Sequence, residues 1–358
     1  MATSAMLPPA PLSDRTRPLL SVRDLKVHFF MNEGVVKAVD GISFDVFPGQ
    51  VFGVVGETGC GKSVAMRAVL RIVEPPGRIV SGEILLRRPG GGPDGGGEEV
   101  VRDIARLHAG GSEMRSIRGG EIALIPQEPM AAFSPVHTIG DQILEAIGLH
   151  RKVDEQEARR LAVSLCRDVG IPAPEQRLGD YAWQLSGGLR QRALIAMALS
   201  CNPRLLIADE PTTAVDVTTQ AQVLRLLRQL QQARNAAIIF ITHDLGVIAQ
   251  MADHVMVMYL GRVMEQGPVD RIFHAAQHPY TQALLRSIPS IQSAPRTHLP
   301  TVSGSIPHPF NRPRGCPFHP RCPHAIPGRC DEETPSLRPV ADAHLVSCFL
   351  YEPAEEGA

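Results

Sequence analysis

The run Gly56-Glu57-Thr58-Gly59-Cys60-Gly61-Lys62-Ser63 fits G-x-x-x-x-G-K-[ST], a spacing suited to a polyphosphate. Glycines let successive backbone N–H groups turn inward without Cβ clashes, and a helix beginning at the end of the run adds the partial positive charge of its N-terminus. Lys62 can neutralise the β- and γ-phosphates and Ser63 can ligate Mg²⁺, while Cys60 is a spectator in the loop. Farther along, Leu205-Leu206-Ile207-Ala208-Asp209-Glu210 sets two carboxylates at the C-terminal end of an apolar strand, where α/β sheets put their ligand sites. Asp209 can hold Mg²⁺ through its water shell, and Glu210 can polarise the water that attacks the γ-phosphate. Read alone, that pair is equally an ordinary solvated strand end; the glycine run upstream gives it a task. Ser186-Gly187-Gly188 opens a third element, a helix continuing to Leu199. Ser186 could simply cap that helix. Alternatively, the serine and two glycines form a second anion site, which, if far from the first, would serve the nucleotide of a neighbouring chain.

These groups need a scaffold, and the hydrophobic pattern supplies one. Val51–Val55 is short and continuously apolar, as a strand buried on both faces must be, and Val64–Val73 reads as the helix after the glycine turn. Leu19–Val27, Ile42–Val46, Ile122–Ile125, Leu205–Ala208 and Ala237–Ile241 read as further strands, with a helix over Thr219–Ala233 forming a parallel crossover. A largely helical stretch runs from the fourth of these six strands to about Ser200. In it Asp154 and Glu157 predict a capping box, Gly170 a stop, and Cys166 a place in the core. The fold class is α/β. Pro89–Gly97, all glycine and proline except Asp94, reads as a disordered surface loop, and no internal repeat is evident.

Composition narrows the function. A chain of 358 residues is long enough for two domains at about 150 residues each. Lys+Arg 36 against Asp+Glu 37 leaves a net charge of -1, without the basic footprint of a nucleic-acid binder. Apolar runs such as Ala236–Ile241 and Val255–Leu260 fall short of the roughly 18 to 20 residues that span a bilayer. No secretory h-region stands in the first 20 residues, so a reducing cytoplasm is expected. Of seven cysteines, Cys316, Cys322, Cys330 and Cys348 crowd a proline-rich C-terminal stretch, a pattern pointing to metal or redox chemistry before disulfides. Their spacings, C-x5-C, C-x7-C and C-x17-C, lack the paired knuckles of most zinc sites.

Taken in order, the Walker A run, Gln127 in Ile125-Pro126-Gln127-Glu128, Leu185–Gln191, the Walker B carboxylates, Thr213-Ala214-Val215-Asp216 and His243 resemble the ATP-binding cassette (ABC) ATPases over residues 19–270. The resemblance implies a P-loop NTPase core with a helical signature subdomain at about 129–200; composition adds a flexible, proline-rich tail over 1–18 and a small loop-rich module, rich in proline and cysteine, over 271–358. It also implies that Gln127 senses Mg²⁺ and the attacking water, that His243 contacts the γ-phosphate, and that Asp216 belongs to a loop crossing a dimer interface. Phe29 would stack on adenine, with Phe30 as competitor. His278–Leu285 and Cys316–Pro323 are similar to the C-terminal extension of ATPase subunits in oligopeptide and dipeptide importers, from which Ala182-Trp183 and the glycine-rich patch depart. That likeness implies an ATP-hydrolysing subunit of a bacterial peptide importer, peripheral on the cytoplasmic face of the inner membrane. Nickel, glutathione and antimicrobial-peptide systems share the same C-terminal type, and a soluble cassette acting on DNA or ribosomes is the rival class. Implied partners are a second ATPase subunit (self or paralogue), two membrane permease subunits and, indirectly, an extracytoplasmic solute-binding protein. The four C-terminal cysteines would carry a [4Fe-4S] cluster, with zinc or metal-free thiols as alternatives.

Overall fold

The computed structural model describes residues 16–90, 97–213, 216–288, 302 and 304–352. The expected N-terminal tail up to residue 15, the glycine-rich patch at 91–96, and Ala214 and Val215 therefore lie outside the described residues. The chain folds as two compact units, each drawn from separated stretches: 1–20, 45–51 and 85–241 in one, and 21–44, 52–84 and 242–358 in the other.

The unit holding the glycine run is organised on the strand Val51–Val55, buried at every residue. His254–Tyr259 runs parallel to it, with Phe52 opposite His254 and Val55 opposite Val257. Arg262–Pro268 pairs antiparallel with His254–Tyr259, and His344–Val346 antiparallel with Arg262–Pro268, leaving Arg338–Ala341 at the edge. A strand hairpin, Leu20–Met31 and Gly34–Val46, belongs to the same unit. So do the helices Lys62–Val69, Leu245–Met251, Val269–His274 and Pro279–Arg286. Both the hairpin strands extend beyond the residues expected from sequence. Their added positions, among them His28, Phe30, Val35 and Lys37, are half-buried or exposed, so no apolar run announces them.

The other unit carries three parallel strands, Ile122–Ile125, Leu205–Asp209 and Ala237–Ile241, registered with Ile122 opposite Leu205 and Leu205 opposite Ala237. The last two are wholly buried, and the helix Val217–Arg234 crosses over between them. Three longer helices, Ile139–His150, Glu155–Asp168 and Gly187–Ala198, fill the stretch between the first two strands. At Asp154 the expected capping box forms only its first half, the carboxylate accepting from the Glu157 N–H at 2.8 Å. A complete box stands instead at Thr138, where hydroxyl and Asp141 carboxylate each accept the other's backbone N–H at 3.1 and 3.0 Å. Gly170 does stop its helix: at φ +76° it lets Ile171 N–H reach the Cys166 carbonyl at 2.8 Å and its own N–H the Arg167 carbonyl at 2.9 Å. Cys166 is buried core, its thiol pushed up to about 11 by burial. Among the described residues no helix is long and apolar enough to cross a membrane.

Candidate functional site

The glycine run is held open by backbone geometry that other residues would not tolerate. Gly56, Gly59 and Gly61 have φ of +151°, +81° and +100°. A Cβ on Gly56 would stand 2.2 Å from the Met258 carbonyl oxygen, and one on Gly61 2.1 Å from that of Ala38. Around Gly59 there is open space, so the loop is a cradle with one unfilled side. Lys62, the first residue of the following helix, is 5% exposed and donates to the Gly56 and Glu57 carbonyls at 2.8 and 3.2 Å. Among the described residues this buried ammonium has loop carbonyls and the Cys60 sulfur at 3.8 Å as its acceptors, all neutral, and a phosphate oxygen offers a stronger one. The Cys60 thiol is pushed up by burial and stays neutral, as suits a spectator. Ser63 is half-buried on the same helix, while Thr58 is exposed.

Two residues that sequence reasoning gave no role hold this loop from outside. Tyr280 Oη accepts the Glu57 N–H at 3.0 Å, and Arg321 pairs with the Glu57 carboxylate at 2.7 and 3.1 Å. Burial opposes the charge of Arg321, but hydrogen bonds to Glu57 and Tyr259 outweigh it and raise its pKa further. Both residues lie in motifs legible as family patterns, yet nothing local in the sequence ties them to a loop more than 200 residues away.

In the other unit, Asp209 is buried at its strand end and Glu210 turns out of it at φ +47°, a left-handed conformation costly for a residue with a side chain. The turn is fixed by the Glu210 N–H donating to the Ile241 carbonyl at 2.9 Å. Glu210 Oε2 then accepts both Gln127 Nε2 at 3.2 Å and the Thr213 hydroxyl at 2.9 Å. The structure thus brings Gln127 and Glu210 together across 83 residues and adds Thr213.

The Ser186–Gly188 turn is built differently. Ser186 caps Gly187–Ala198, its hydroxyl accepting the Leu189 N–H at 3.4 Å. A Cβ on Gly187 would meet nothing within 4 Å, and one on Gly188 only the Thr219 side chain, at 2.9 Å. Thr219 is in turn bound by Asp216, which accepts its N–H at 3.0 Å and its hydroxyl at 2.6 Å; these bonds hold the Asp216 carboxyl below the usual range. Asp216 is therefore the cap of Val217–Arg234.

His243 is exposed after Ala237–Ile241, and Asp244 beside it caps Leu245–Met251 by accepting from Gly246 and Val247 N–H at 2.8 and 3.2 Å. Phe29 is half-buried with its ring edge over Gly77, where a Cβ would come within 2.6 Å, while Phe30 is 38% exposed with the Arg78 guanidinium 4.0 Å above its ring.

The iron–sulfur and zinc expectations for the four C-terminal cysteines find no support in the structure. All are free thiols, and among the described residues no group of three or more His, Cys, Asp and Glu is placed to hold a metal ion. Burial pushes Cys316 up to about 12 and Cys348 up to about 11, raises Cys322 as well, and the neighbouring thiols add to each shift. Backbone groups occupy part of the module: Cys330 accepts the Cys316 N–H at its carbonyl and the Ile326 N–H at its sulfur, and His319 Nδ1 stands 2.9 Å from the Cys316 carbonyl.

Comparison with known proteins gives consistent results. Residues 39–213 match the family described as ABC transporter, and residues 264–330 that described as oligopeptide/dipeptide transporter, C-terminal region. The chain is similar to the dipeptide transport ATP-binding protein DppD of Escherichia coli (strain K12), 44% identical over 330 residues that make up 92% of this chain and 96% of that one. It is 45% identical over 341 residues to the oligopeptide transport ATP-binding protein AppD of Bacillus subtilis (strain 168), 95% of this chain and 98% of that one. Its fold is similar to a solved dimeric ATP-binding cassette in a post-hydrolysis state bound to ADP and Pi, with a TM-score of 0.59 and 21% identity, covering 70% of this chain and 98% of that one.

Proposed function

This chain belongs to the ATP-binding subunits of ABC transporters, and on that premise we propose that it energises uptake of dipeptides or oligopeptides across the cytoplasmic membrane. ATP hydrolysis is its reaction. The observation that supports the assignment of the base is the Glu210 carboxylate, turned out of its strand at φ +47° and gripped on one oxygen by Gln127 and Thr213. A carboxylate so fixed can take a proton from an attacking water without first reorganising, and Gln127 orients that water.

Lys62 exchanges its loop carbonyls for phosphate oxygens, and the N–H groups of Gly59–Ser63 surround the same phosphates. The hard oxygens of Ser63 and Asp209 suit Mg²⁺, with Gln127 beside them in the reading from sequence; when bound, the ion would neutralise phosphate charge. His243 contacts the γ-phosphate, and Phe29 lies along the adenine. The Ser186-Gly187-Gly188 turn is presented to the nucleotide of a second cassette, self or paralogue, with Asp216 near the shared interface. ATP bound between the two favours the closed pair over the open one, and that difference in affinity drives two permease subunits supplied by an extracytoplasmic solute-binding protein. Attachment to those permeases keeps the chain peripheral on the cytoplasmic face, and residues 19–270 act as the motor with 271–358 as an accessory module. No step passes through the cysteines.

Reconstitution tests this reading. The chain, purified with its co-encoded membrane subunits and placed in vesicles, is expected to hydrolyse ATP faster when peptide-loaded solute-binding protein is added, and Lys62→Ala to abolish the response. No stimulation by peptide, or stimulation by nickel or glutathione instead, would overturn the substrate assignment.

A further inference from the structure

Arg321 lies between Cys316 and Cys322 in a module the hydrolytic reading does not use, yet its side chain is 4% exposed and points its charge at the phosphate loop. Its two terminal nitrogens take one Glu57 oxygen each, at 2.7 and 3.1 Å, the planar fork geometry that lysine cannot reproduce. Nη1 also donates to Tyr259 Oη at 3.2 Å and Nη2 to the Val302 carbonyl at 3.2 Å. The guanidinium sits over Tyr259 and Phe318, 5.6 and 6.0 Å from their centroids. Tyr259, Tyr280 and Phe318 pack mutually with centroids 4.8 to 5.4 Å apart, and Tyr280 is the residue that accepts the Glu57 N–H. Backbone and side chain of one loop residue are thus both fixed by a rigid aromatic and cationic platform outside the loop.

A carboxylate inside a loop that grips a triphosphate is an electrostatic liability, because like charges in a partly desolvated site repel. We propose that Arg321 is a positioning residue for nucleotide binding: it neutralises Glu57 and clamps it, so that the loop is preorganised to receive phosphate. The C-terminal module is thereby part of the ATP site's affinity, acting through Glu57. This inference rests on the reading of Gly56–Ser63 as the phosphate-gripping loop.

The test is equilibrium binding of a fluorescent ATP analogue to the full chain, with hydrogen–deuterium exchange of the nucleotide-free protein over residues 55–62. Arg321→Gln is expected to weaken binding by about tenfold and to speed exchange in the loop. Glu57→Gln combined with Arg321→Gln is expected to regain part of the lost affinity, because the uncompensated charge is gone; a purely structural role for Arg321 gives no such recovery. Tyr280→Phe, which removes one hydrogen bond and keeps the ring, is expected to speed exchange and weaken binding a few fold. If Arg321→Gln does not fold, Arg321→Lys decides: it keeps the charge and loses the fork, and an intermediate loss of affinity is expected. Wild-type affinity and exchange in Arg321→Gln or Arg321→Lys, or a double variant no better than Arg321→Gln, would overturn the proposal. Lys62→Ala separates the two claims, since full ATP binding by that variant rejects the loop assignment itself.

Discussion

The turn Gly56–Ser63 and the turn Ser186–Gly188 each set glycines before a helix, and the fold demands them in the first more than in the second. In the phosphate loop Gly56 and Gly61 sit at positive φ with carbonyl oxygens within 2.2 Å of where a Cβ would be. At the Ser186–Gly188 turn Gly187 has open space around it and Gly188 meets only one side chain. The first pair of glycines is explained inside the chain. Gly187 is not, and in the proposed function that exposed helix end faces a second cassette. The contrast extends to support: the phosphate loop is tied by Tyr280 and Arg321 from far along the chain, whereas Ser186 and Leu185 bond only to near neighbours among the described residues, Ala182, Leu189 and Arg190, at 2.9 to 3.4 Å.

Substitution sharpens this contrast. Gly61→Ala must displace the Ala38 carbonyl and adopt a strained φ, so a loss of about 3 kcal/mol or more in stability is expected, together with loss of ATP binding, read by denaturant unfolding and nucleotide titration. Gly187→Ala should leave stability within about 1 kcal/mol of wild type, since alanine is the better helix former, yet lower ATPase activity of the assembled transporter by about tenfold or more. A Gly187→Ala protein with full activity would erase the distinction. The platform behind the phosphate loop gives a smaller signal through pH. His278 caps the helix that carries Tyr280, its Nδ1 accepting the Tyr280 N–H at 3.0 Å, and burial pushes its pKa down to about 3. The unfolded chain takes up that proton near 6.5 and the folded chain refuses it, so stability falls as pH drops from about 6.5 toward 3, by up to about 1.4 kcal/mol per pH unit. His254, held down to about 4 by burial, adds to the same slope. His278→Asn retains a cap acceptor and should remove about one proton from the dependence, measured as melting temperature against pH.

Legibility in the sequence followed burial. Val51–Val55, Ile122–Ile125 and Ala237–Ile241 were found to the residue, because a short apolar run between turns has few other places to go. Arg338–Ala341 and His344–Val346 had no such signal: they are brief, one contains Pro339, and the second carries His344, buried against Glu265 at 2.7 Å. A buried hydrogen-bonded polar pair has no periodic signature, so Glu265, fully buried, looks in sequence like a surface residue. The residues proposed for the chemistry were legible as local runs, Gly56–Ser63 and Asp209-Glu210. The partners that tune it were not, since Arg321 meets Glu57 through folding alone and Thr213 meets Glu210 only because that residue turns at positive φ.

Replacing the base most directly tests the account. Glu210→Gln keeps the size and the hydrogen-bonding edge but cannot take a proton, so the assembled protein is expected to bind and retain ATP with Mg²⁺ while steady-state hydrolysis falls by about 100-fold or more. Hydrolysis at the wild-type rate in that variant would contradict the role given to Glu210 and, with it, the reading of the site.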